Sequence, residues 1–323
     1  MNASSPTTSF DPARISTIGI CGSGQMGAAG AVAFQRAGYH ALVWHRNPAT
    51  RDAAKQSCAT MDRWMNEHVG PAPRTGGTIT FAENVGQIDE KSDLIVDCIA
   101  EDMQAKVDLF SPMKKAIARS AVFISTTSGL SITELGRRSG TGHLLAGAHF
   151  WNPPHLMPLV EVIRGEETPD AIMVCVCAVV ESIGKIAVRV EKDVPGFIGN
   201  RLFHAMWREA INLVERGIAT PADIDRVARL TFGLRLPAVG PFENMDLIGL
   251  DLVQRIHSYL LADLSNAKAP QSPVVERLAE KHEGMRSGQG FYDWSKRDGK
   301  AVIERRNRQI VNQLAFLREL NAL

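Results

Sequence analysis

The chain has 323 residues, with 36 Lys and Arg against 35 Asp and Glu, a formal net charge of +1. That near-balance excludes a protein that gathers nucleic acid or another polyanion through a bulk positive field. A composition of 45% hydrophobic and 22% charged residues excludes disordered and collagen-like chains, and the length, over twice the ~150-residue domain prior, predicts two domains.

Residues 1–14 (MNASSPTTSFDPAR) are rich in Ser, Thr and Pro without an apolar core or basic amphipathic stretch, so a loose, flexible tail is expected rather than a targeting peptide. Strands are then expected at 16–21 and 40–45, separated by a helix at 26–37, followed by a helix at 51–67 and a strand at 94–99. A helix at 104–118, strands at 121–125, 144–149 and 159–163, a helix at 169–183 and a strand at 185–190 complete the first half. This alternation is that of a parallel sheet with crossover helices, a Rossmann-type doubly wound α/β domain. From residue 194 the pattern is helical only, with a long helix to about 215 and further helices at 221–230, 245–264, 273–282 and 302–320. The predicted division is a dinucleotide-binding domain over 15–193 and an all-α domain over 194–323 for substrate binding and dimerisation. The longest apolar run, 171–180, is far short of the roughly 20 residues that a membrane helix needs, so a cytoplasmic protein without a membrane partner is expected. Cys21, Cys58, Cys98, Cys175 and Cys177 are odd in number and lack CxxC spacing, as buried thiols of a reducing compartment would.

Directly after the first strand stands Gly22-Ser23-Gly24-Gln25-Met26-Gly27, a GxGxxG opening into a helix. A dinucleotide site needs the first glycine for the tight turn and the second for close approach of backbone to pyrophosphate. The third allows close helix–strand packing, and the helix N-terminus faces the phosphates. At the end of the second strand an NAD enzyme usually carries an acid for the ribose hydroxyls, which would repel a 2′-phosphate. His45 stands there instead, followed by Arg46. NAD and NADP both stay open, and the guanidinium inclines the expectation toward NADP.

The segment Ala148-His149-Phe150-Trp151-Asn152-Pro153-Pro154 places a histidine at a strand end, where ligands meet an open α/β sheet. Glu161 lies in Leu159-Val160-Glu161-Val162-Ile163, where a carboxylate among apolar neighbours is costly unless paired. Beside a histidine it would hold one ring N–H, fix the tautomer and favour the imidazolium, leaving the other nitrogen for proton transfer. A purely structural His–Glu hydrogen bond fits the bare pattern as well.

Taken in order, GSGQMG, AEDMQAK, STTSGL, GAHFWNPP, PLVEVI, DVPGFIGNRL, VGPFENMDLIGLD and RSGQGFYDW resemble the landmarks of the L-3-hydroxyacyl-CoA dehydrogenase family across residues 15–293. The resemblance implies an oxidoreductase of fatty-acid-type substrates that uses NAD or NADP, built as a Rossmann domain followed by a helical domain that forms a homodimer. Carried over by position, His149 is the general base and Glu161 its partner, while Ser128 and Asn200 are polar groups facing the substrate. The implied cofactor contacts are Gly22, Gly24, Gln25, Met26, Gly27, His45, Arg46, Glu101, Lys106, Ser128, Asn152 and Arg286. No metal is called for.

The match departs from the family at His45, at TTSGL, and in continuing past GFYDW to residue 323. The helical insertion between the second and third strands carries only Arg51, Lys55, Arg63 and Arg74 as cations, whereas CoA phosphates are gripped by Lys and Arg. HFWNPPH also resembles the branch acting on free hydroxy compounds, which includes gulonate dehydrogenase, lambda-crystallin and pyridine-carboxylate dehydrogenases. The expected reaction is oxidation of (S)-3-hydroxyacyl-CoA to 3-oxoacyl-CoA. The alternative is a free hydroxy acid or an aromatic hydroxy or aldehyde compound. A non-catalytic, crystallin-like dinucleotide binder would have no chemical need for His149, Glu161, Ser128 and Asn200 together.

Overall fold

The computed structural model describes residues 10–320, apart from the side chain at position 48. The chain divides into two compact units, Met1–Asn200 and Arg201–Leu323. The first is built on strands β1 (Thr17–Cys21), β2 (His40–Trp44), β3 (Thr78–Phe81), β4 (Leu94–Asp97), β5 (Val122–Ser125), β6 (Leu145–Phe150), β7 (Leu159–Ile163) and β8 (Ile186–Val190). They form one sheet in the order β3-β2-β1-β4-β5-β6-β7-β8. Every neighbouring pair is parallel except β6 and β7.

Alternate residues of the central strands feed the two faces, as a pleat requires. Leu94, Val96, Val122 and Ile124 join Ile18, Ile20 and Val43 in a core under helices α1 (Gln25–Arg36) and α7 (Asp170–Ser182). Ile95 and Phe123 point the other way, into a second core with Ile88 of α3 (Val85–Lys91), Phe110 of α4 (Met103–Phe110), Ala116 of α5 (Lys114–Ala118) and Leu135 of α6 (Ile132–Ser139). The helix α2 (Arg51–His68) adds Cys58 to the first core.

The doubly wound sheet and its helical follower agree with the sequence reading; β3, α3 and α6 are elements the sequence reading does not contain, and four further local features differ from it. The β6–β7 pair is antiparallel rather than parallel, because only residues 151–158 join the strands and a parallel crossover needs about a dozen. The helix expected at 104–118 is two helices, parted around Pro112, which cannot donate within a helix. Likewise the helix expected at 245–264 is split into α11 (Pro241–Ile248) and α12 (Leu250–Leu260) at Gly249, whose φ is 91°. Residues 10–14 belong to the expected loose tail, yet Pro12–Arg14 is a 3-10 turn capped by Asp11, and Phe10 packs on the core. The rest of that tail lies outside the described residues.

The second unit holds the remainder of α8 (Gly199–Glu215), then α9 (Pro221–Leu230), α10 (Phe232–Arg235), α11, α12, α13 (Ser272–Ala279) and α14 (Gly299–Glu319). Tyr292 donates to Asp225 at 2.6 Å and Arg277 lies 4.3 Å from the Phe291 ring. Among its described residues Pro273 alone is buried. No described helix is long and apolar enough to cross a membrane.

Candidate active site

The antiparallel turn-back sets the dyad. In the β6–β7 register His149 stands directly opposite Glu161, so the two side chains leave the same face of the sheet within reach of each other. His149 Nδ1 and Glu161 Oε2 are 2.8 Å apart, and both residues are buried. The other carboxylate oxygen, Oε1, accepts from the backbone N–H groups of Ile198 and Gly199, each at 2.9 Å. These are donors at the start of α8 that lack helical partners, and a carboxylate is well placed at that positive end. Burial pulls the Glu161 pKa upward, but the hydrogen bonds from His149, Gly199 and Ile198 outweigh it and hold the carboxyl below its ordinary range.

A group depressed in this way adds stability above its unfolded pKa, near 4.5, and that contribution is lost as pH falls through the lower folded value. Glu161→Gln is therefore expected to lose stability above about pH 4.5 and to converge on the wild type in acid, as denaturant unfolding across pH would record. The same substitution is expected to lower kcat by about 10- to 100-fold, less than loss of a general base, which costs roughly 10²–10⁴. The acidic limb of its kcat/KM profile should move to lower pH. An unmoved profile would remove Glu161 from proton transfer.

Ser128 sits on the loop after β5. Glu101 organises this loop: its Oε1 accepts from Thr127 Oγ1 at 2.6 Å and from Ser128 N at 2.8 Å. Thr127 Oγ1 in turn accepts from Gly129 N and Leu130 N. Asn200 Nδ2 donates to the Ser128 carbonyl at 3.1 Å, so the start of α8 is tied to the same loop. Below them Lys106 is buried against Asp97 in a close ion pair, with Glu101 Oε2 at 3.8 Å. Burial raises the Asp97 pKa, against the pull of the Lys106 ammonium. Gln25 Nε2 reaches Asn152 Oδ1 at 3.3 Å.

Two cavities run along the C-terminal edge of the sheet, across the point where strand order reverses between β1 and β4. One is lined by Trp44, His45, Arg46, Ile99, Leu109 and Pro112, the other by Met26, Ser128, His149, Trp151, Asn152 and Asn200. Both include Cys98 and Ile99, which makes them one cleft.

The glycines fit a dinucleotide in this cleft. A Cβ on Gly22 would lie 2.3 Å from the Cys98 carbonyl oxygen, and one on Gly27 would lie 1.8 Å from the Gly22 oxygen, so both are required by packing. Gly24 faces open space, as a position passed closely by pyrophosphate should. His45 Nδ1 is 2.7 Å from Thr50 Oγ1 and 3.1 Å from Asn47 N, which anchors the imidazole at the strand end. Arg46 is exposed and makes no ion pair among the described residues. Arg286 stands in the second unit, where it pairs with Glu283 at 2.8 Å.

Three contributors to this site escaped the sequence reading. Asp97 holds Lys106, Thr127 holds the Ser128 loop, and the ring of Phe197 lies 5.7 Å from His149. A buried acid at a strand end and a Ser-Thr-Thr-Ser run are weak signals on their own, because each occurs in ordinary caps and turns.

A glycine-rich turn at the switch point and a cross-strand His–Glu dyad define a nicotinamide-dinucleotide dehydrogenase acting on a hydroxyl or carbonyl carbon. Residues 17–194 match the NAD binding domain of 3-hydroxyacyl-CoA dehydrogenase and residues 196–294 match its C-terminal domain; the chain belongs to the 3-hydroxyacyl-CoA dehydrogenase family. It is 32% identical over 298 residues to 5-formyl-3-hydroxy-2-methylpyridine 4-carboxylate 5-dehydrogenase of Mesorhizobium japonicum, covering 92% of this chain and 96% of that one. It is 33% identical over 291 residues to a probable 3-hydroxybutyryl-CoA dehydrogenase of Bacillus subtilis, covering 88% and 99%. The crystal structure of a 5-dehydrogenase of the same pyridine carboxylate, described as an NAD+ dependent dismutase, superposes with a TM-score of 0.89 at 31% identity, over 94% of this chain and 99% of that one.

Proposed function

We propose that the protein interconverts the hydroxyl and carbonyl forms of a compact, free, ring-bearing compound of the pyridine-carboxylate type, with NAD(H) or NADP(H). The observation that carries this reading is the TM-score of 0.89 to the pyridine-carboxylate enzyme across nearly the whole of both chains. Two of the four insertion cations support it, since Arg51 donates to the Ala82 carbonyl and Lys55 pairs with Asp52. When bound, the nicotinamide supplies the hydride acceptor. His149 takes the hydroxyl proton through Nε2, because Nδ1 is engaged by Glu161. The Ser128 hydroxyl and the Asn200 amide donate to the substrate oxygen as it becomes a carbonyl. Glu101 and Lys106 keep the Ser128 loop in place beside the cofactor, and Asn152 and Gln25 border the nicotinamide.

A second reading, oxidation of (S)-3-hydroxyacyl-CoA, is favoured by both family domains and by the Bacillus subtilis relative. Initial rates with free aromatic alcohols, free hydroxy acids and 3-hydroxyacyl-CoA esters, followed by nicotinamide absorbance, separate the two. Turnover of the CoA esters alone would overturn the first reading.

For the cofactor, we propose a preference for NADP(H), supported by the missing acid at position 45 and by the Arg46 guanidinium beside it, which makes no ion pair among the described residues. His45→Asp is expected to shift the NAD:NADP ratio of kcat/KM by about tenfold or more toward NAD, through repulsion of the 2′-phosphate. A wild type already strongly selective for NAD would refute the preference.

We also propose a homodimer formed through the second unit. A helical unit whose described residues bury only Pro273, while Leu202, Phe203, Met206, Trp207, Phe242 and Leu247 stay exposed, lacks a core of its own. Light scattering that finds a stable monomer would overturn this assembly.

A further inference from the structure

We propose that Trp151, seated on Gly199, is the specificity wall of this cleft and selects substrates whose reacting carbon is attached to a flat ring. The indole lines the same cavity as His149, Ser128 and Asn200. Its ring centroid lies 5.2 Å from that of His149, at an interplanar angle of 54°, so it stands beside the base. Phe197 flanks the imidazole from another direction, at 5.7 Å, but is fully buried and belongs to the core. Trp151 is only partly buried, and its remaining surface is what the cavity offers to a ligand next to the proton acceptor.

Gly199 shows that this placement is built. A Cβ there would lie 2.3 Å from Trp151 Cζ2 and 3.1 Å from Cε2 and Cη2. Nothing in the backbone demands glycine, because Gly199 is absent from the residues with positive φ and is the first residue of α8. The missing side chain is accounted for by the indole resting on it. The same residue donates its N–H to Glu161 Oε1, so the wall and the partner of the base share one anchor. Aromatic rings meet in offset or edge-to-face pairs that an alkyl chain cannot form. A ring-bearing substrate therefore gains a contact here that a straight-chain one lacks.

This inference rests on the reading of the cleft as a hydroxyl–carbonyl dehydrogenase site, and the test keeps the two apart. Rates are measured on a free pair, pyridine-3-methanol against 3-hydroxybutyrate, and on a CoA-linked pair, 3-hydroxy-3-phenylpropionyl-CoA against 3-hydroxybutyryl-CoA. Which pair is turned over decides between free and CoA-linked substrate. Within that pair, Trp151→Leu is expected to lower the ring-to-chain ratio of kcat/KM by about tenfold, largely through KM, while Trp151→Phe preserves it. Dinucleotide affinity, measured in parallel, should stay at the wild-type value in both variants. Gly199→Ala is expected to lower the ratio in the wild-type background and to leave it unchanged in the Trp151→Leu background, where the new methyl group has room. An unchanged ratio in Trp151→Leu, or equal loss on both members of the pair, would overturn the wall. An equal cost of Gly199→Ala in both backgrounds would overturn its seating, and turnover of neither pair would remove both proposals.

Discussion

His149→Gln is expected to lower kcat by about 10³-fold while leaving dinucleotide affinity within a few-fold of the wild type, consistent with the roughly 10²–10⁴ that a positioned general base contributes. The geometry separates the two properties. His149 meets Glu161 across the β6–β7 ladder, whereas the glycine turn proposed to receive the dinucleotide lies between β1 and α1. Glutamine keeps a polar side chain opposite Glu161 but cannot take up a proton near neutral pH. Stopped-flow hydride transfer and fluorescence titration of the reduced dinucleotide would report the two quantities separately. Equal loss of both would mean that His149 serves packing alone.

The glycine turn was legible because its steric demands are local. Gly22, Gly24 and Gly27 fall within six residues, and each has its own steric reason: a Cys98 carbonyl, an open face and a Gly22 carbonyl. His149 and Glu161 were legible as a pair for a different reason. A carboxylate inside an apolar strand needs a partner, and a strand-end histidine was near at hand. What stayed hidden depended on direction and register. The antiparallel return of β7 is what places Glu161 opposite His149, and it follows from the length of the 151–158 connection rather than from any residue in it. The short helix α6 was missed although Ser131 caps it by accepting from Glu134 N, a signal that S-x-x-E spells out. The edge strand β3 has four residues with alternate ones exposed, too little apolar text to stand out.

Lys106→Met is expected to destabilise the fold by about 3–5 kcal/mol, the range for removing one partner of a buried ion pair, because the Asp97 carboxylate would be left buried without its counter-charge. Burial already pushes the Asp97 pKa up with Lys106 present, so loss of the ammonium pushes it further in the same direction. A group whose folded pKa is raised binds its proton more tightly folded than unfolded, and stability then falls as pH rises between the unfolded and folded values. The deficit of Lys106→Met should accordingly be smaller near pH 5 than near pH 8. The double variant Lys106→Met with Asp97→Leu, which removes both charges, should recover much of the loss, since the cost lies in the orphaned charge and not in the missing attraction. Denaturant unfolding of the three variants at both pH values tests this. A pH-independent deficit that the double variant does not relieve would show that the buried Lys106 stem matters more than its charge.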